Sequence, residues 1–430
     1  MRAPKVFAYK SDEADAKTRL YAVYGNGYNS IADKGGPALI FVDVLSGKFA
    51  NTIYADEETL SGSTSSYSLY ANLWDGGDYT NGNYKDGMSE PTLFDDDQDG
   101  NPDVIYAGDL HGNMYRLSLR KAIDNDDGSG YTYSHGKLSV EGAGLEGNHR
   151  SMLNGMITAS DLKRLAVCTD EKGHRLSITT APAVINRGTL GASGVVNKTV
   201  MWGTGRYLVS NIDNKYNKSE PVNSIWMIND RGDSSESINR NSSVYVSTMD
   251  YAGVDHSGLL ADYDRTKLRK LDTPVCRAKS GACTDGWILD LTPIYYGNTL
   301  MNGGEKVAFN PAEAFDRFIV NTLVPTSDPC SESAESYQYV LNPTTMKIDN
   351  VSDSARDTSN QRRFDHTATD VTIAYSSVRG RTNVIAVSAV DSSALKNDES
   401  ETESSKKTTV TDVGRMATSY QVLIDNEKPW

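Results

Sequence analysis

The chain has 430 residues, 38% of them hydrophobic, and carries a formal net charge of −14 at pH 7. That charge argues against nucleic acid, whose binding needs a basic surface to displace counterions, and against docking to anionic lipid. No run of about 18 or more apolar residues occurs, so no helical membrane span is expected.

Met1-Arg-Ala-Pro4 runs straight into strand-like sequence with no signal peptide before it. The chain is therefore expected to be a piece of a larger secreted protein. The 24 Tyr, with abundant Val, Ile and Thr, suit pleated half-buried surfaces, and the 36 Gly suit turns. A first unit reads Pro4-Lys-Val-Phe, an apolar strand over 20–28 carrying Gly25-Asn-Gly27, and a strand over 38–43 with a Ser46-Gly47 turn. A second reads Pro91-Thr-Leu-Phe, a strand over 104–109, a Gly112-Asn113 turn and a strand over 114–119. A short helix is predicted over 157–165. The third unit is Pro182-Ala-Val-Ile, a strand over 200–207 with Gly203-Thr-Gly205, and a strand over 224–229. A looser fourth is Val307-Ala-Phe with strands over 317–323 and 337–341, and further strands are predicted over 371–375, 384–388 and 420–424. Surface loops are expected over 61–66, 76–83, 124–130 and 392–407.

Such strand–turn–strand units cannot bury both faces alone, and stacking them around an axis does so while protecting their edges. The fold class expected is all-β: an irregular, seven-bladed β-propeller. It forms a single domain over 1–430 with insertions at 50–90, 120–175, 230–285 and 390–410. A β-sandwich array is the alternative.

The chemistry is concentrated in Asp95-Asp-Asp-Gln-Asp-Gly-Asn-Pro-Asp103. Asp95, Asp97, Asp99, Asn101 and Asp103 fall at alternate positions with Gly100 at the sixth, the ligand spacing of an EF-hand calcium loop. Asp95, Asp97 and Asp99 are expected to supply carboxylate oxygens to Ca2+, Asn101 its backbone carbonyl, and Asp103 the last carboxylate. Asp96 points away under this alternation. The twelfth position is Tyr106, where an EF-hand has Glu, and strands flank the loop, so it is a helix-free variant. The alternative is a solvated acidic loop, which needs neither the alternation nor the Gly.

Other motifs are weaker. Arg231-Gly232-Asp233 reads either as an integrin-type adhesive triplet or as a turn. The two Gly-x-Gly pieces lack the third Gly and the helix of a dinucleotide fingerprint, and read as strand-end turns. Of the six His, His111 is the one near the acidic loop in sequence, and none forms a metal or catalytic motif. Four cysteines suggest two disulfides in a secreted chain. Lys279-Ser-Gly281 can form a tight turn joining Cys276 to Cys283, and Cys168 with Cys330 follows by elimination. Four buried thiols are the alternative. Nothing marks a catalytic centre, and no enzyme is expected.

The stretch over 94–117, Phe-Asp-Asp-Asp-Gln-Asp-Gly-Asn-Pro-Asp-Val-Ile-Tyr-Ala-Gly-Asp-Leu-His-Gly-Asn-Met-Tyr-Arg-Leu, resembles the signature of the PilC/PilY family of type IV pilus tip-associated adhesins. Tyr24-Gly-Asn-Gly-Tyr-Asn29, Ala181-Pro-Ala-Val and Trp202-Gly-Thr-Gly-Arg-Tyr207 are similar to its C-terminal domain. The resemblance implies a modified β-propeller with a calcium loop between blade strands. It implies that calcium occupancy tunes pilus extension against retraction, and so twitching motility and host-cell adhesion. It places the protein at the cell surface of a Gram-negative bacterium, on the pilus tip or the outer membrane. The partners implied are minor pilins of the tip, the host cell surface and, through the Arg-Gly-Asp triplet, integrin. A quinoprotein-dehydrogenase-like propeller enzyme is the competing reading, but no adjacent cysteine pair is present. A purely structural interaction propeller is the third.

Overall fold

The computed structural model describes residues 4–12, 16–28, 37–55, 86–124, 131–139, 155–190, 196–206, 221–232, 237–251, 269–271, 274–278, 282–292, 294–296, 299–302, 304–314, 316–324, 335–344, 347–348, 361–364, 370–378, 381–388 and 409–415. The loops expected over 61–66, 76–83 and 392–407, the strand expected over 420–424, most of the loop over 124–130, Asp233 and Cys330 lie outside them.

Among the described residues, five sheets follow one another along the chain as blades, where seven blades were expected. Blade 1 is Lys5–Tyr9, Arg19–Gly25, Ala38–Asp43 and Phe49–Tyr54, paired antiparallel in that order. Blade 2 is Thr92–Phe94, Val104–Gly108, Asn113–Ser118 and Leu162–Val167. The hairpin Arg120–Asp124 and Tyr131–His135 is inserted before its last strand. Blade 3 is Ala183–Leu190, Val196–Gly203, Ser224–Asp230 and Gly286–Asp290. Its insertion adds Val244–Tyr251, which runs parallel to Gly286–Asp290 and pairs in turn with Arg269–Leu271 and Val275–Cys276. A separate hairpin, Ile294–Tyr296 and Thr299–Asn302, precedes blade 4. Blade 4 is built on Ala312–Ala314, Arg317–Val324 and Glu335–Asn342, with Lys347–Ile348 and Gln361–Phe364 both pairing with Glu335–Asn342. Blade 5 is Val371–Val378, Arg381–Ser388 and Thr409–Arg415.

Side chains alternate across a strand, and in blades 2 and 3 both sides meet apolar neighbours. Ile105 and Ala107 join Tyr21, Val23 and Phe41 between blades 1 and 2. Val104 and Tyr106 face the other way, joining Val200, Trp202, Trp226 and Ile228 between blades 2 and 3. Met201 and Met227 then meet Phe318, Val320 and Tyr339 between blades 3 and 4. Burial on both faces explains why Val104–Gly108 reads as a continuous apolar run rather than an alternating one.

The starts of the blades converge. Lys5 Nζ lies 2.7 Å from Glu90 Oε1. Asn310 Nδ2 donates to Glu90 Oε2 at 3.2 Å, the Ala181 amide donates to Asn310 Oδ1 at 2.9 Å, and the Asn310 amide donates to Asp370 Oδ1 at 2.8 Å. Each of these residues begins, or lies within two residues of, the first strand of a different blade. That is the radial arrangement, with first strands innermost. A recurring glycine makes room for it: Gly25, Gly108 and Gly203 each end the second strand of a blade. A Cβ there would sit 2.2 Å from Met88 O, 2.3 Å from Ile178 Cγ2 and 2.1 Å from Val307, respectively. The Gly-x-Gly pieces are therefore seats for the chain crossing to the next blade.

Four expectations are corrected. The predicted helix over 157–165 is a single 3-10 turn, Ala159–Asp161, followed by Leu162–Val167, because pairing with Asn113–Ser118 completes blade 2. This returning strand also lies inside the stretch over 120–175 read as an insertion. Blade 4 opens on Ala312–Ala314 after Pro311, not on Val307, which fills the space beside Gly203. Cys276 and Cys283 form a disulfide with Cα atoms 5.7 Å apart. Cys168 is instead a free thiol, buried between blades 2 and 3, where its Sγ accepts from Trp202 Nε1 at 3.2 Å. Burial pushes this thiol up to about 12. Among the described residues no helix is long and apolar enough to cross a membrane.

The turn joining the second and third strands of blade 2 buries Asp109, whose carboxylate accepts from Asn113 N at 2.8 Å, Asn113 Nδ2 at 2.7 Å and Tyr115 Oη at 2.8 Å. Burial, and then the charge of Asp86, raise it to about 6. His111 Nδ1 lies 2.9 Å from Asp86. Burial opposes its protonation, but the Asp86 contact outweighs this and raises the imidazole. The signs agree. Ionised Asp109 disfavours the fold, so the fold gains stability as pH falls through about 6 and Asp109 is protonated, while the contribution of His111 is lost as pH rises through its raised value. Urea unfolding from about pH 7.5 to about pH 5.5 should show a stability gain that is smaller in Asp109→Asn than in the wild type; equal gains would remove Asp109 as the source.

Candidate metal centre

The acidic loop is the connection between the first two strands of blade 2. Pairing stops at Phe94 and Val104, and the Asp103 amide closes the base onto Phe94 O at 2.9 Å. The short polar side chains then turn the chain by accepting from their own backbone. Asp95 Oδ1 accepts from Gln98 N at 2.7 Å and its Oδ2 from Gly100 N at 2.8 Å. Asp97 Oδ1 accepts from Asp99 N at 3.3 Å, and Asp99 Oδ1 from Asn101 N at 2.7 Å. Gln98 at φ 62° and Gly100 at φ 92° take the left-handed conformation that the reversal needs, which costs Gly the least.

This winding brings one carboxylate oxygen each of Asp95, Asp97 and Asp99 within 4.8 Å of one another, the one such group of three metal-ligating side chains among the described residues. All three are acidic oxygen donors on a partly exposed loop, the donor class that suits a hard divalent cation such as Ca2+. The residues present therefore fit the ion that the loop's spacing implies. Asn101 binds blade 1 with its side chain: Oδ1 accepts from Lys10 N at 2.9 Å and Nδ2 donates to Lys10 O at 3.4 Å. With the side chain so engaged, the backbone carbonyl is the group it has left to offer a cation.

Asp103 stands apart from the three. It is 2% exposed, with Oδ1 2.6 Å from Arg120 Nε and 3.0 Å from His135 Nε2, and Oδ2 accepting from Asp96 N at 2.6 Å. Burial alone would raise its carboxyl, but the His135 hydrogen bond, the Asp96 amide and the Arg120 charge outweigh it and hold it below its ordinary value. Arg120 also pairs with Asp97, so one guanidinium joins the base of the loop to its acidic tip. The histidine at the loop is thus His135. His111, nearer in sequence, serves Asp86 instead.

Asp96, expected to point away, does so into the next blade. Its carboxylate receives Lys198 Nζ at 2.7 and 2.9 Å, and Lys198 is 0% exposed, over the Phe94 ring at 5.8 Å. Beside it Asp230 accepts from Tyr106 Oη and lies 2.9 Å from Arg116 Nε, both from blade 2. Sequence reading did not foresee the parts played here by Lys198, Asp230, Tyr106 and Arg116. A lysine within the apolar Val196–Gly203 strand was the one visible signal. Just past the Ser224–Asp230 strand of blade 3, Arg231 Nη2 donates to Thr284 O at 2.9 Å, and the amide of Gly232, at φ 78°, donates to Asp230 Oδ1 at 2.8 Å.

A family model described as the PilY1 beta-propeller domain matches residues 60–249. The type IV pilus biogenesis factor PilY1 of Pseudomonas aeruginosa PAO1 is 25% identical over 332 residues, 75% of this chain and 24% of that protein. A PilY1 homolog of Xylella fastidiosa is 32% identical over 98 residues, 23% of this chain and 6% of its own length. The chain thus spans about a quarter, or less, of the curated relatives it matches. The crystal structure of the Pseudomonas aeruginosa PilY1 C-terminal domain superposes with a TM-score of 0.55 at 20% identity, covering 89% of this chain and 69% of that one.

Removing one partner of a buried ion pair strands the other charge, which costs about 3–5 kcal/mol. Lys198→Met should lower unfolding free energy by that order in urea titration, and Asp96→Asn added to it should recover much of the loss. A single variant as stable as wild type would show that the pair is not coupled to folding.

Proposed function

Because this chain is a PilY1-family C-terminal domain, we propose that it serves type IV pilus biogenesis with loop 95–103 as its Ca2+ site. Occupancy of that site sets the balance of pilus extension and retraction, and through it twitching motility and adhesion to host cells. The domain acts at the surface of a Gram-negative cell, on the pilus tip or the outer membrane, with minor pilins and the host cell surface as its partners. Its role is one of binding and assembly rather than catalysis.

The observation that carries this reading is the convergence of Asp95, Asp97 and Asp99 on one hairpin connection of a domain whose relatives are pilus biogenesis factors. Asp95, Asp97 and Asp99 would hold the cation by carboxylate oxygens and Asn101 by its carbonyl, while Asp103, expected to give the last carboxylate, is taken up by Arg120, His135 and the Asp96 amide and anchors the base of the loop. A bound cation supplies the positive charge that offsets the mutual repulsion of the acidic side chains. Extracellular calcium is near millimolar, so a site with Kd of about 10⁻⁴–10⁻³ M would respond to it. For Arg231-Gly232-Asp233, the contacts of Arg231 and Gly232 favour the turn over an integrin ligand.

Calorimetry should show calcium binding to the wild type weakened at least about tenfold, ~1.4 kcal/mol, in Asp97→Ala. Magnesium should bind poorly, since it demands a tighter octahedral shell. The same substitution in the parent bacterium should change pilus number or twitching without loss of the protein. Equal calcium affinity of the two proteins would sink the site assignment, and altered binding without any change in pili would leave a structural role alone.

A further inference from the structure

Loop 95–103 touches three consecutive blades through polar groups. Asp96 carries it to blade 3, where Lys198 and Asp230 are register partners on adjacent strands. Two crossings, Asp96 to Lys198 and Arg116 to Asp230, therefore attach to a single rung of that blade. Asn101 carries the loop to Lys10, just past the first strand of blade 1. Asp103 carries it to His135, whose amide donates to Asp12 Oδ2 at 2.7 Å. The Asp96 amide donates to Asp103 Oδ2, so the residue reaching blade 3 is also tied to the loop's own base.

A buried ion pair repays the loss of hydration only when its geometry is held. Asp96 lies between Asp95 and Asp97, so whatever orders those two side chains also orders the backbone that presents Asp96 to Lys198. Ordering a segment once lowers the entropy cost of the next contact it makes.

We propose that loop 95–103 is a cation-dependent clasp, through which occupancy at Asp95, Asp97 and Asp99 strengthens the packing of blade 2 against blade 3 by way of Asp96 and Lys198, and against blade 1 by way of Asn101. The clasp rests on the reading of this loop as a calcium site. Coupling of this kind is reciprocal, so the Asp96–Lys198 pair also strengthens cation binding. The sign separates this from simple electrostatics. Lys198 is positive, and its removal would by charge alone favour a cation at the loop, whereas loss of the clasp weakens it.

The experiment is hydrogen exchange on the 430-residue chain with and without calcium chloride, joined to calorimetry. Calcium is expected to slow exchange over 95–106, over 196–203 on blade 3 and near Lys10 on blade 1. In Lys198→Met calcium affinity should fall several-fold, and the slowing over 196–203 should be lost while that over 95–106 remains. Wild-type protection confined to 95–106 overturns the clasp even where the variant fails to fold, as does a variant that binds calcium as tightly as wild type or more so. Absence of calcium binding to wild-type protein is a different result, which removes the calcium reading and the clasp with it.

Discussion

A strand that is apolar on both faces is stable only between two other sheets, and Val104–Gly108 is such a strand. Its alternate side chains enter two separate cores, one shared with blade 1 and one with blade 3. Blade 3 repeats the arrangement with Trp202 and Trp226 on one face and Met201 and Met227 on the other. The sheets are thus held in series, each completing its neighbour's core. The strand starts gather where Lys5, Glu90, Asn310 and Asp370 meet. Stacking of this kind leaves little room at the crossings, which is why a glycine ends the second strand in each of blades 1, 2 and 3.

Close stacking also decides what polar groups at a blade interface must do. Lys198 has no access to water and is held by both oxygens of Asp96. Asp230, equally buried, takes Tyr106 and Arg116. Arg240 and Asp290 meet in two hydrogen bonds at 2.6 and 2.8 Å, tying the blade 3 insertion to its last strand. Each is a charge removed from water and matched by a partner, which makes the interfaces specific in register as well as apolar.

The acidic loop sits where these two requirements meet. As a hairpin connection at the edge of blade 2, it can carry three mutually repelling carboxylates without disturbing a core. As the segment bearing Asp96, Asn101 and Asp103, it is fastened to both neighbours and to its own base. A loop so placed joins its acidic tip to blades 1, 2 and 3 through side-chain contacts.

The sequence by itself determined the features whose partners are close along the chain. The alternation of Asp95, Asp97 and Asp99 around Gly100 is local geometry, as is the Cys276–Cys283 bridge across seven residues. The apolar runs behind Pro4, Pro91 and Pro182 located three first strands, because a short apolar run after a proline is a local signal. Pro311 carried the same signal but lies a few residues from the more apolar Val307, which drew the reading away from it. Tertiary structure alone decided the rest. Asp96 finds Lys198 across 102 residues and Asn310 finds Glu90 across 220. Cys168 lies beside Trp202, 34 residues on, rather than in the disulfide expected by elimination. Spacing constrains groups joined by a few rotatable bonds, whereas groups on different blades meet only after each sheet has buried its faces, and that packing has no period in the chain.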